Sequence, residues 1–226
     1  IAMSFSVPNN NRALHTGTVT WVYANRKDAK STTTSEAHLI TSSVDKSRSF
    51  NFLLIWDIKK LNAPLSETTL EPEAATEAKP MYDRETSILY MSYKLAGHIK
   101  LYEIDCNFPN AIFLLSAHRS IQPNHAICML PKYAHCNSLR YELAKFLKLS
   151  KSNPSAMHSV SPMACIVPRK GVNFDEEIYP PTIANDVATI KDASEYMQGK
   201  NAMPQYVSMR PTEECIQELT GGNGLG

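Results

Sequence analysis

Between positions 125 and 136 the chain carries His125, Cys128, His135 and Cys136, the side-chain types that zinc favours. Adjacent His135 and Cys136 sit awkwardly for a tetrahedral shell, and the spacing lies outside the usual structural patterns. The plainer reading is one buried thiol and exposed histidines. No metal is therefore assigned, and a zinc site stays a remote alternative. A second pair, Glu176-Glu177, could act as acid and base only in a pocket that moves its pKa values, and reads instead as a solvated or docking acidic patch. A third group, Lys145, Lys148 and Lys151 with Arg169 and Lys170, could form a basic face for an acidic partner, although most such charge is simply solvated. There is no nucleophile motif or phosphate loop; of eight glycines, the Gly221-Gly222 pair follows no strand. Neither enzymatic activity nor a cofactor is expected.

The remaining set with the right types is structural. His15, Ser42 or Ser43, Asp45 and Trp56 are candidates for the His–Ser/Thr–Trp–Asp network that ties together the strands of a propeller blade, with Asp57 completing the Trp-Asp pair. Burying those polar groups is tolerable only if each is paired. Asp45 lies 11 residues before Trp56, more than a tight hairpin allows. The competing reading makes Trp56 simply core.

The element that would position these residues is 50–60, Phe-Asn-Phe-Leu-Leu-Ile-Trp-Asp-Ile-Lys-Lys. It is rich in aromatic and branched residues, lacks Pro and Gly, and reads as a strand. Phe52, Leu54 and Trp56 alternate with Leu53 and Ile55, so both faces are apolar and both need covering. Its pattern returns: Ile55-Trp56-Asp57-Ile58 becomes Leu101-Tyr102-Glu103-Ile104 and then Phe146-Leu147-Lys148-Leu149, at intervals of 46 and 45 residues. That is the blade period, four strands per unit. The fold class expected is all-β: antiparallel four-stranded blades of a WD-type propeller, with Tyr102 and Glu103 as the second blade's counterparts of Trp56 and Asp57. Strands are expected at 18–23, 38–43, 65–70, 87–93, 98–104, 111–116, 126–130 and 163–167, with another at 1–7. Residues 139–149 fit a helix or a strand locally, and the repeat decides for strand. Residues 82–86 read as a turn, and 71–79 is poor strand material. After Pro168 the pattern stops: 174–182 is acidic and then Tyr-Pro-Pro, hence extended. A short helix is expected at 190–197, a last strand at 205–210, and a flexible tail at 221–226. The boundary is drawn at 170, with blades over 1–170 and an extension over 171–226.

Composition narrows the class. The chain has 226 residues, 43% hydrophobic and 20% charged, and a formal net charge of +1. That is globular, with no bulk basic character to favour nucleic acid or a membrane surface. No apolar run approaches the ~18 residues of a span, and no basic-then-apolar leader opens the chain. The first residue is Ile1, so a piece of a longer protein is expected. Five cysteines without a Cys-x-x-Cys read as reduced, mostly buried thiols.

The ordered set of motifs resembles coronins. It comprises Ile55-Trp56-Asp57, the stretch Tyr82–Ile104 with its Tyr-Asp-x-x-Thr turn, and Met129-Leu130-Pro131-Lys132. Ile166-Val167-Pro168-Arg169-Lys170 follows, then Phe174-Asp175-Glu176-Glu177 leading to Tyr179-Pro180-Pro181-Thr182, and Gly199-Lys200-Asn201-Ala202. The likeness runs from about Leu14 to Arg210. Glu77 and Lys79, the polar loop 24–37 and 125–137 depart from the family, marking a divergent member; a protist source is one reading of that divergence. The resemblance implies three of seven blades plus the extension that packs on them, with Phe174, Tyr179 and Pro180 as docking residues. It implies a non-catalytic, cytoplasmic, cytoskeletal protein that binds filamentous actin and regulates its bundling and turnover. An arginine of the family's first blades contributes to that binding and has no counterpart here, so weak binding is expected, with Lys145, Lys148, Arg169 and Lys170 as candidate contacts. Open blade faces would also permit self-association. The alternative is a WD-repeat scaffold that holds other proteins and ignores actin.

Overall fold

The computed structural model describes residues 14–23, 37–45, 50–70, 78–105, 111–151, 157–169, 173–184, 193–199 and 205–212. The strand expected at 1–7, most of the polar loop, Lys170 and the tail lie outside these residues.

Two four-stranded antiparallel sheets come first. β1 (Leu14–Tyr23), β2 (Ala37–Asp45), β3 (Phe50–Asp57) and β4 (Ser66–Leu70) pair in chain order. β5 (Ala78–Asp83), β6 (Ile88–Tyr93), β7 (His98–Ile104) and β8 (Ile112–Arg119) do the same. A third sheet holds β9 (Ala126–Met129), β10 (Glu142–Ser150) and β11 (Ser159–Ile166) with β10 in the middle; helix α1 (Lys132–His135) and a 3-10 turn at Ser138–Arg140 separate β9 from β10. β12 (Thr182–Ile183) pairs antiparallel with β13 (Tyr206–Val207), and α2 (Ala193–Met197) lies between them in sequence. The chain divides into two compact units, 1–127 with 148–161 and 128–147 with 162–226. The sequence boundary at 170 follows a change of pattern, whereas these units follow contacts.

In the first unit, the two apolar faces of β3 have different partners. Leu53 and Ile55 join Val22, Ile40 and Leu70 from the first sheet and Leu89, Met91, Tyr93, Tyr102 and Ile104 from the second in one buried cluster. Each fully buried side chain of this size contributes roughly 1.5–3 kcal/mol. Leu54 and Trp56 face the other way, with Leu39, and are covered by Ile58 and Leu61 from the turn that follows. Sheet packing thus explains a run greasy on both sides.

Three expectations are corrected, for β5, for β10 and for the length of the last strand. β5 exists where residues 78–83 read as poor strand and turn. It sits at the edge of its sheet, the place where Pro80 can be tolerated. Residues 146–149 do lie in a strand, so the helical alternative falls, but β10 is the second of three described strands in its sheet, whereas β3 and β7 are third of four. The insertion of α1 and the 3-10 turn between β9 and β10 lengthens this part of the chain, so the apparent third copy is displaced by one strand. The last strand, expected at 205–210, is two residues long; of the helix expected at 190–197, Ala193–Met197 is helical and 190–192 lie outside the described residues.

The turn between β6 and β7 depends on Gly97, at φ +68°. Its carbonyl accepts from Ser120 N (2.9 Å), and a Cβ there would lie 2.5 Å from the Ser120 carbonyl oxygen and 2.9 Å from that of Gln122. Both the conformation and the space require glycine.

Candidate functional site

Trp56 is fully buried, and its indole Nε1 donates to Thr41 Oγ1 (2.9 Å). The hydroxyl partner is therefore Thr41, and neither serine proposed from sequence. Ser42 pairs its Oγ with Thr18 Oγ1 (2.7 Å), and Ser43 Oγ is buried without a partner among the described residues. His15 and Asp45 are described in backbone only, opposite Val44 and Leu14 respectively. Asp57 accepts the Lys59 amide (2.8 Å) and closes the turn after β3. In the second sheet the turn between β5 and β6, expected at 82–86, is built by Asp83 of the Tyr-Asp-x-x-Thr motif: its carboxylate accepts from Glu85 N (3.1 Å) and Thr86 Oγ1 (2.7 Å). The Asp-x-x-Thr spacing is the signal that marks it. Tyr102 is buried and Glu103 exposed. Trp56 with Thr41, Asp57 and Asp83 thus tie strands and turns together.

The basic candidates do not share one role. Lys145 is paired with Glu142 (2.9 Å). Burial works to raise the Glu142 pKa, but the Lys145 ammonium, the Asn137 amide and Arg140 outweigh it and hold the carboxyl below its ordinary range. Lys148 is buried, 5% exposed, and donates to Ser120 Oγ (2.7 Å) and Gln122 O (2.8 Å). Burial pushes its ammonium below the ordinary lysine value. A buried lysine offers no face to a partner, so its place in the basic patch is corrected: in a β-strand the side chain of 148 points opposite to those of 147 and 149, into the sheet's covered side. Arg169 is half exposed and paired with Asp175. The Glu177 amide leads the groups that hold the Asp175 carboxyl low, Arg169 among them.

In the second unit, Tyr141, Tyr179 and Met209 form a buried cluster with Phe174, Ile178, Val167 and Cys136 packed against it. Phe174 stacks on Tyr179 at 5.9 Å, and Pro180 is half-buried beside it in sequence. Arg210 lies over the Phe174 ring at 5.3 Å and pairs with Glu176 (2.6 Å). Ser138 Oγ donates to Met209 O (2.7 Å) and Tyr141 Oη to Asn173 O (3.0 Å). Burial pushes the Tyr179 phenol far above the ordinary tyrosine range, with Cys136, Tyr141 and Glu142 nearby adding to it. The clasp joins the segment after Pro168 to residues 136–142, and Tyr141 enters it with φ +55°. Glu176 is one half of an ion pair here. Sequence spacing could not show the partners Ser138 and Met209, which lie 71 positions apart.

Of the zinc-like residues, His125 sets its ring edge-on to His158 at 5.3 Å, Cys128 is exposed and Cys136 packs in the clasp. Among the described residues no three His, Cys, Asp or Glu side chains gather as metal ligands, and no helix is long and apolar enough to cross a membrane.

A cavity of about 270 Å³ opens in the first unit, lined by Thr18, Lys79, Ser92, Lys94, Asn124 and His125. Lys79 Nζ donates to Ile127 O (2.9 Å) at its wall.

Comparison with known proteins places these features. Residues 160–204 match a family model described as a type of WD40 repeat. Coronin-2A of Mus musculus is 31% identical over 168 residues, covering 74% of this chain and 30% of that protein. Coronin-A of Dictyostelium discoideum is 34% identical over 157 residues, 70% of this chain and 33% of that one. The chain thus spans about a third of the length of the curated relatives it matches. The crystal structure of the WD40 domain from Toxoplasma gondii coronin superposes with a TM-score of 0.69 at 24% identity, over 87% of this chain and 46% of the other. That likeness is one of fold.

Proposed function

This chain is a divergent coronin-family WD-repeat protein, and we propose that it serves as a non-catalytic cytoplasmic scaffold that binds filamentous actin and takes part in organising it. The observation that carries this reading is similarity to coronins spread over 70–74% of the chain and not confined to one repeat. Exposed basic and apolar groups meeting acidic actin surface would supply the attraction, chiefly as on-rate and specificity. Arg169 is the candidate contact that the structure leaves half exposed, although its charge is partly satisfied by Asp175. Weak binding is the expectation.

Filament co-sedimentation of the 226-residue chain tests it. Pelleting that strengthens as salt is lowered supports the reading, because exposed charge pairs are screened within about 10 Å at 0.1 M salt. Absence of pelleting at low salt overturns it and favours a scaffold for other proteins. Binding unchanged in an Arg169→Gln, Lys170→Gln double variant would remove those two residues from the contact while leaving the actin reading in place.

A further inference from the structure

Propellers bring only short, protected strand edges to solvent. The last strands of the two four-stranded sheets differ in this respect. β4 is five residues long, Ser-Glu-Thr-Thr-Leu, and exposes Glu67 and Thr69. β8 is eight residues long and reads Ile-Phe-Leu-Leu-Ser-Ala-His-Arg. It ends the order β5-β6-β7-β8 and meets no other described strand on its outer side. Phe113, Leu114 and Leu115 are 44%, 52% and 50% exposed. Phe113 and Leu114 point to opposite faces, so neither face of this edge is covered. A long apolar edge is a template for another strand.

What fits the edge is set by a bulge and by charge. β8 pairs with β7 as His98↔Arg119, Ile99↔His118, Lys100↔Ala117 and Leu101↔Ser116, and then as Tyr102↔Leu114, so Leu115 is an extra residue. Across it the alternation of side chains slips by one. Ile112 and Leu114 therefore share a face with Ala117 and Arg119, and Phe113 shares the other with Ser116 and His118. Two copies of β8 set antiparallel about a two-fold axis beside Leu115 then match face for face. Ile112 lies opposite the second copy's Arg119, Phe113 opposite its His118, and Leu114 opposite its Ala117. Without the bulge that register would set opposite faces against each other. Charge points the same way. Exposed Glu103 is the β7 partner of Phe113, while exposed His118 and Arg119 stand at the other end of β8. The two-fold sets the basic end of each copy beside the acidic end of the other, whereas a parallel copy would bring like ends together. Glu103 and the second copy's His118 are two strand spacings apart, roughly 10 Å, so their attraction selects orientation more than it adds affinity.

We propose that the outer edge of β8 is an interface between two copies of this chain, joined antiparallel about a two-fold axis at Leu115. The interface is isologous, and it continues the sheet β5–β8 of one copy into that of the other. A single strand edge is smaller than the ~1,600 Å² of a standard interface, so the dimer is weak, with a Kd in roughly the micromolar range. It is distinct from self-association through open blade faces, and it does not rest on the actin reading.

The test is sedimentation velocity of the 226-residue chain from low micromolar concentration upward. The mass is expected to rise from one chain to two. Leu114→Lys alters a half-exposed side chain, so melting should be unchanged, and a charge on the edge should hold the chain as a monomer. Trp21→Ser, on the half-exposed face of β1, should leave the dimer intact. Glu103→Lys or His118→Glu alone should weaken it by about two- to fivefold, the scale of an exposed charge pair, and the two together should restore it. A monomer at every concentration overturns the proposal and leaves the edge to a strand of another protein. A dimer that survives Leu114→Lys, or one that Trp21→Ser abolishes, overturns it in favour of a blade face. A double charge variant as weak as the single ones overturns the antiparallel two-fold.

Discussion

The paired sheets β1–β4 and β5–β8 and the clasp around Tyr179 cohere by different means. Between the sheets, Leu53, Ile55, Leu89 and Met91 are fully buried and bring no polar side-chain atoms with them. In the clasp the apolar cluster is small, and it is ringed by directed contacts: Ser138 to Met209 O, Tyr141 to Asn173 O, Arg210 to Glu176, and Glu142 to Lys145 and the Asn137 amide. Apolar burial is non-directional and scales with area, whereas hydrogen bonds demand geometry and are modest in net worth. The sheet pair is accordingly expected to be indifferent to pH and to charge screening and sensitive to co-solvents that solvate apolar groups, and the clasp to respond to pH and salt.

The largest test of that contrast is cavity formation. Leu89→Ala between the sheets is expected to cost about 2–5 kcal/mol in urea unfolding. Leu54→Ala, on the Trp56 side, should cost less, because Ile58 and Leu61 belong to a turn that can close over the gap. Equal losses would break the distinction between the two faces of β3. Next comes Trp56→Phe. It leaves Thr41, 8% exposed, without its indole donor and is expected to cost about 1–2 kcal/mol. A double-mutant cycle with Thr41→Val should recover most of that as coupling, and an uncoupled pair would return Trp56 to a purely apolar role.

The acid side separates the clasp from the sheets. Because Glu142 has a folded-state pKa below its unfolded value, its contribution is present above the ordinary glutamate range and is lost as pH falls through the depressed value. Glu142→Gln should remove roughly 1 kcal/mol near neutrality and flatten the acid limb of the melting curve. An unchanged acid limb would mean that the Lys145 pair is idle.

The smallest effect is expected at alkaline pH and belongs to the first unit. Burial depresses the Lys148 pKa, so between its folded and unfolded values the unfolded chain holds the extra proton and stability rises with pH. Lys148→Met should abolish that rise while changing neutral stability little; a persisting slope would assign it to another group.

How much of this could be read in advance differs by region in the same way. The strands 98–104 and 50–57 were legible because alternation and branched residues record a two-sided burial in consecutive letters. β5 was not, since Lys79 and Pro80 look hostile to a strand until the sheet edge is known. The displacement of β10 was hidden because loop length, which the sequence does not separate from repeat length, absorbed it. For the clasp, Phe174, Tyr179 and Pro180 came from family likeness, while Ser138, Tyr141 and Met209 had no local pattern to announce them. Lys148 was misread for a simple reason: a lone lysine on a strand looks the same whether its head reaches water or a ring of neutral oxygens.

Gly97 has one further consequence, and it concerns inheritance. Every nucleotide change at the first two places of a glycine codon installs a side chain or a stop. At position 97 the first carbon of any side chain would meet the Ser120 and Gln122 carbonyls, the second of which also receives Lys148. Relaxing one contact would disturb the other. In a saturating mutational library this codon should therefore tolerate silent third-base changes and little else, while Gly199, where a Cβ meets nothing among the described residues, is limited by its φ of +79° and should accept asparagine or aspartate before any branched residue.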